Sequence, residues 1–133
     1  MSFDHYIQSG GKRLRCGYTT GTCAALAAKG AAELLLTGRA PEAVSLRTPK
    51  GWVVKVPLEG PRLENETASA WVTKDGGDDV DATHGLPIAA SVARQTGTGL
   101  TLRGGEGVGR VTKPGLDQPV GEWAINSTPR RMI

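Results

Sequence analysis

The chain has 133 residues, of which 38% are hydrophobic, 22% charged and 5% aromatic. That length suits one domain, and the composition is neither that of a disordered chain nor that of one carrying a membrane span. The net charge is +3 and the pI about 9.1, with Lys and Arg scattered rather than blocked, which argues against a nucleic-acid surface and suits a small polyanionic ligand.

Residues 1–14 read as a polar leader, expected to be flexible and without the apolar core of a signal peptide. The segment Gly17-Tyr18-Thr19-Thr20-Gly21-Thr22 opens a helix expected over 23–37, capped by Thr20 or Thr22 and ended by Gly38. Its i, i+4 rows carry small residues (Gly30, Ala27, Ala31) beside Leu26, Leu34 and Leu35, so it can lie close to a sheet. Strands are expected at Ala43–Arg47 and 52–56, joined by the turn Thr48-Pro49-Lys50-Gly51, with Trp52, Val54 and Val56 on one face. A loop should span 57–65. A third strand, Thr67–Thr73, delivers the chain into an acidic run. A second helix is expected over 86–96, with Pro87 in its first turn and Gly97 at its end. A fourth strand is expected at 100–103 and a return strand at 108–112, while 114–133 shows no periodicity. These elements predict an α+β fold: two layers, a mostly antiparallel sheet, and both helices on one face.

Three runs carry candidate chemistry. In Lys74-Asp75-Gly76-Gly77-Asp78-Asp79-Val80-Asp81-Ala82-Thr83-His84-Gly85, four carboxylates and an imidazole crowd around paired glycines. Three readings are open. A metal loop is one, although the spacing fails the calcium-loop pattern. A solvated turn or helix cap formed by Asp78, Asp79 or Asp81 is another. The third is a ligand site in which the catalytic candidates are Asp75, Asp78, Asp79, Asp81 and His84, the last as a proton carrier. The threonine-glycine turn places Thr19, Thr20 and Thr22 at a helix N-terminus, which is either a plain cap or an anion site. The run Gly104 to Gly115 spaces Gly105, Gly107 and Gly109 as G-x-G-x-G, but Pro114-Gly115 blocks the helix a dinucleotide fingerprint needs. It reads as a hairpin bend or as a ligand-facing loop of Gly105, Glu106 and Gly107 with Arg110 and Lys113. Cys16 and Cys23 lack zinc spacing and read as reduced thiols.

Taken together and in this order, the three runs, with Trp123 to Ile133 after them, closely resemble the N-terminal region of the CbiD family. Family members are cobalt-precorrin-5B C1-methyltransferases of anaerobic cobalamin biosynthesis. The resemblance implies a cytoplasmic enzyme, S-adenosylmethionine as methyl donor and a corrinoid substrate. It implies no nucleic-acid or membrane partner, and leaves a homo-oligomer open. It also implies that 15–133 is an α+β domain similar to ribosomal S5 domain 2, followed in the family by a methyltransferase-like domain that binds most of the donor. That domain is not present here, so the isolated chain is expected to be inactive. The rival reading is a non-catalytic S5-like module for a tetrapyrrole or a phosphorylated ligand.

Overall fold

The computed structural model describes residues 6–78 and 84–133. Two antiparallel strands, β1 (Tyr6–Ser9) and β2 (Lys12–Arg15), open the chain. Gly10 and Gly11 join them with φ of 56° and 78°, as a two-residue turn with both central residues left-handed requires. This hairpin falls almost wholly in residues 1–14, expected to be a flexible leader, and ends one residue beyond them at Arg15.

Helix α1 (Thr20–Thr37) begins three residues earlier than expected. Its cap is neither Thr20 nor Thr22 but Thr19, whose Oγ1 accepts the Thr22 N–H at 3.0 Å. Gly38 ends it in the left-handed conformation, donating its N–H to the Leu34 carbonyl at 2.8 Å. Small residues dominate the buried face: Cys23, Ala25, Ala27, Ala28, Gly30 and Ala31 around Leu26 and Leu34. At Gly30 a Cβ would sit 2.5 Å from Leu58 Cδ1, so glycine permits the close approach that the small-residue rows imply.

Strands β3 (Ala43–Arg47) and β4 (Val53–Pro57) pair antiparallel across the 48–51 turn, with Val44 opposite Val56 and Leu46 opposite Val54. The expected loop over 57–65 is instead mostly strand β5 (Glu59–Glu64). Asn65 and Glu66, at φ of 48° and 62°, turn it into β6 (Thr67–Thr73). The register shifts between Glu59 and Arg62, where Gly60 lies beneath the Trp71 ring.

The expected second helix is corrected to a strand. β7 (Pro87–Ala93) runs antiparallel to β6 in unbroken register, from Thr67 opposite Ala93 to Thr73 opposite Pro87. Ile88, Ala90 and Val92 are half-buried and their neighbours exposed, a period of two. The segment 87–93 also satisfies the helical spacing of Ile88 and Val92. Pairing with β6 decides between the two.

The strands expected at 100–103 and 108–112 do not form. The bridge between Arg110 and Trp123 is isolated, and Leu100 stands 82% exposed. Beyond them α2 (Ser127–Met132) starts where Asp117 Oδ2 accepts the Ser127 N–H at 2.6 Å.

The α+β class holds, but among the described residues the single sheet under two helices is replaced by three small antiparallel sheets. α1 covers the β3–β4 and β5–β6–β7 sheets: Cys23 and Leu26 meet Val44, Val54, Val56 and Leu58, and also Ala70 and Val72. Ala31 and Leu34 close a second cluster on Ala68. α2 packs on α1 rather than on a sheet.

Candidate functional site

The acidic run is the connection of the β6–β7 hairpin. Its neck is closed by two backbone bonds, Lys74 N–H to the Leu86 carbonyl (3.0 Å) and Gly85 N–H to the Lys74 carbonyl (2.8 Å). The loop then leans on the start of α1. Tyr18 N–H donates to the Asp75 carbonyl at 2.9 Å, and Cys16 bridges to Gly77. Gly17 makes this contact possible, since a Cβ there would overlap the backbone of Asp75 and Gly76 and stand 2.5 Å from Gly77 N. The Tyr18 hydroxyl donates to the Thr73 carbonyl at 3.1 Å. Lys74, only 7% exposed, donates from Nζ to Thr20 Oγ1 at 3.0 Å. The acidic loop and the threonine-glycine turn are thus one docked unit.

Within the loop, Asp75 Oδ1 accepts the Gly77 N–H at 2.8 Å. His84 Nδ1 accepts the Gly76 N–H, also at 2.8 Å, and lies 3.9 Å from Asp75 Oδ1. Both side chains line an open cleft of about 350 Å³ between the loop, the end of β4 and the start of β5, together with Tyr18, Val56, Glu59, Thr73 and Lys74. Glu59 Oε2 accepts from the Thr73 hydroxyl at 2.6 Å. The cleft therefore combines an aromatic wall with two carboxylates, an imidazole and a lysine stem.

The expected site residues divide as follows. Asp75 and His84 line the cleft, Asp78 is exposed and is not among the lining residues, and Asp79 and Asp81 lie outside the described residues. The threonines bond largely within the chain: Thr19 caps α1, Thr20 accepts from Lys74, and the buried Thr22 hydroxyl accepts from Thr19 at 3.0 Å. The glycine-rich run folds against a different segment. Gly104 lies under the Trp123 ring, and the Arg110 guanidinium stacks 4.0 Å from that ring's centre while donating to the Gly121 carbonyl at 2.8 Å. Gly105, Gly107, Glu106 and Lys113 are exposed, and none of the five candidates in this run lines the cleft. Tyr18, Glu59 and Lys74 do, and were not expected as site residues. Tyr18 and Lys74 sit inside runs already notable in the sequence, but only the β5–β6 pairing brings Glu59 there.

Cys23 is fully buried, and burial pushes its thiol up to about 12, so it is a packing group rather than a nucleophile. Among the described residues, no three His, Cys, Asp or Glu side chains gather closely enough to hold a metal ion. No helix among them is long and apolar enough to cross a membrane.

The CbiD family model matches residues 7–133. The chain belongs to the CbiD family. Among its curated relatives, a cobalt-precorrin-5B C(1)-methyltransferase of Geobacillus kaustophilus is 55% identical over 122 residues, covering 92% of this chain and 33% of the relative. Proteins of the same name from Citrobacter koseri and Clostridium perfringens are 50% and 49% identical, over 100% and 98% of this chain and 35% and 36% of theirs. The chain thus spans about a third of the length of the curated relatives it matches. No solved structure matches it. In this CbiD chain the docked unit is built from two of the three runs that carried the resemblance.

Proposed function

We propose that this chain is the N-terminal region of a cytoplasmic methyltransferase of cobalamin biosynthesis that moves a methyl group from S-adenosylmethionine to C1 of cobalt-precorrin-5B. The observation that carries the reading is identity of about half, across nearly the whole chain, to relatives of that name. In the reaction the sulfur–methyl bond breaks, a carbon–carbon bond forms at the ring, and the sulfide leaves. The protein's part is to align the two partners and exclude water. The cleft lined by Tyr18, Glu59, Asp75 and His84 is the proposed substrate face of this region. Gly105, Glu106, Gly107, Arg110 and Lys113 are a proposed second contact for the macrocycle's carboxylates. We also read the α+β core as similar to ribosomal S5 domain 2, on the strength of one helix packed over antiparallel strands.

The turn from β2 into α1 does not fit a donor cradle. A nucleoside site on a strand–turn–helix unit needs glycines that leave room for the ligand. At Gly17 that room is filled by the backbone of Asp75 and Gly76, and at Gly21 by Pro129. Donor binding is therefore assigned to sequence outside this chain, and the chain alone is expected to transfer no methyl group.

The test is a graft. This chain replaces the matched third of the Geobacillus kaustophilus relative, and the chimera is incubated with cobalt-precorrin-5B and methyl-labelled S-adenosylmethionine. Label should enter the macrocycle with the chimera and not with the 133-residue chain. A folded chimera that binds the macrocycle without methylating it would favour the binding-module reading instead.

A further inference from the structure

His84 closes the loop that Asp75 opens, and its ring lines the cleft. Its Nδ1 accepts the Gly76 N–H at 2.8 Å. A ring nitrogen that accepts a hydrogen bond carries no proton, so in the neutral imidazole the proton sits on Nε2. A histidine prepared as a base has the opposite polarity: Nδ1–H donates to a carboxylate and Nε2 is left bare. Among the described residues, the carboxylate within 4 Å of Nδ1 is that of Asp75, whose Oδ1 lies 3.9 Å away and already accepts the Gly77 N–H at 2.8 Å.

From this polarity we propose that His84 meets its ligand as a hydrogen-bond donor through Nε2–H, orienting the substrate rather than taking a proton from it. The inference rests on the reading of the cleft as the substrate face. It also narrows the ligand atom that fits. Glu59 and Asp75 line the same cleft, and Lys74 Nζ is turned to Thr20 Oγ1 at 3.0 Å. A free carboxylate placed against His84 would meet two like charges. A neutral carbonyl oxygen of the macrocycle's substituents would not, and it accepts Nε2–H equally well in geometry.

Two substitutions separate donor from base. His84→Asn keeps an acceptor where Nδ1 stands, so the Gly76 bond and the loop survive, but it offers nothing at Nε2. His84→Gln carries an amide N–H to about the Nε2 position and cannot act as a base. In the chimera, His84→Gln should reduce methyl transfer by no more than about fivefold, and His84→Asn by about tenfold or more, the scale of one lost oriented hydrogen bond. Losses of about a hundredfold or more in both variants, the scale of lost acid–base catalysis, would overturn the proposal. So would two variants with undiminished rates.

The tautomer is read independently on the 133-residue chain with ¹⁵N-labelled histidine at about pH 8, above the ordinary histidine range. The resonance lost in His84→Gln separates His84 from His5. Nε2 protonated and Nδ1 bare is the expected result, and the Nδ1–H form overturns the proposal. A chimera that fails to methylate with His84 intact defeats the proposed function instead, and leaves the tautomer result standing.

Discussion

Gly17→Ala strikes the contact on which the docked unit depends. A methyl group at position 17 would overlap the backbone of Asp75 and Gly76 and stand 2.5 Å from Gly77 N, where carbon contacts need roughly 3.5 Å. No rotamer relieves the overlap, because the obstructing atoms are main chain. The loop must retreat by about 1 Å or more, beyond hydrogen-bond reach. That removes the Tyr18 N–H bond to the Asp75 carbonyl, now 2.9 Å, and the Cys16–Gly77 bridge. Two backbone bonds contribute about 1–3 kcal/mol together. The alanine returns about 0.4–1 kcal/mol by restricting the unfolded chain. The net loss is about 1–2 kcal/mol, which lowers the Tm of a domain of this size by about 3–8 °C. Thermal melts followed by circular dichroism measure it, with Gly105→Ala as control, since a Cβ at Gly105 meets nothing within 4 Å. The amide resonances of residues 75–77 should move in Gly17→Ala alone. A Gly17→Ala chain that melts with the parent and leaves those resonances in place would refute the docking.

Further outcomes follow from the same geometry. Glu66 sits at φ of 62° in the β5–β6 turn, so Glu66→Gly should stabilise by about 0.5–1 kcal/mol, read as a Tm rise of about 2–4 °C. Gly60→Ala adds a Cβ into the Trp71 ring at a φ of 57° and should destabilise by about 2–4 kcal/mol in denaturant titration. Burial raises the Cys23 thiol from 9.0 to about 12, so its contribution to stability is complete below pH 9.0 and fades as pH climbs toward 12. Near neutral pH an alkylating reagent should therefore modify half-buried Cys16 well before Cys23. The Asp117 carboxyl is held below its ordinary 3.8, first by the Ser127 N–H, then by the Gln118 side chain and the Ser127 hydroxyl. Its hold on α2 is present above 3.8 and lost as pH falls through the lowered value, so the Ser127 amide resonance should shift only in strong acid.

Helix α1 and the strands β3, β4 and β6 were legible because their patterns are local: a threonine-rich start (although Thr19 rather than Thr20 or Thr22 is the cap), a left-handed glycine stop, and alternation at Val44, Leu46, Val54 and Val56. What escaped depends on partners. PIAASVA at 87–93 satisfies both periods, and only β6 beside it makes it a strand. β5 is broken by Gly60 and Pro61, which signal a loop, yet the bulge accommodates them. Leu100 to Arg103 has strand composition but no neighbouring strand, so it stays irregular. α2 begins because Asp117, ten residues earlier, reaches Ser127, a contact without local spacing. The site was legible in the same measure. Two runs with surplus glycine and polar groups meet in one place, whereas Arg110, which reads as a ligand-facing cation, stacks on Trp123. Glu59 enters the cleft only through long-range pairing, which no motif encodes.

If the docked loop and turn form the face presented to the corrinoid, their amides must respond when it binds. The most direct test titrates the ¹⁵N-labelled chain with cobalt-precorrin-5B and maps the amides that respond. Tyr18, Gly76, Gly77, His84 and Gly85 should shift together and saturate with one affinity. Binding that moves other amides and leaves these five in place would contradict the claim.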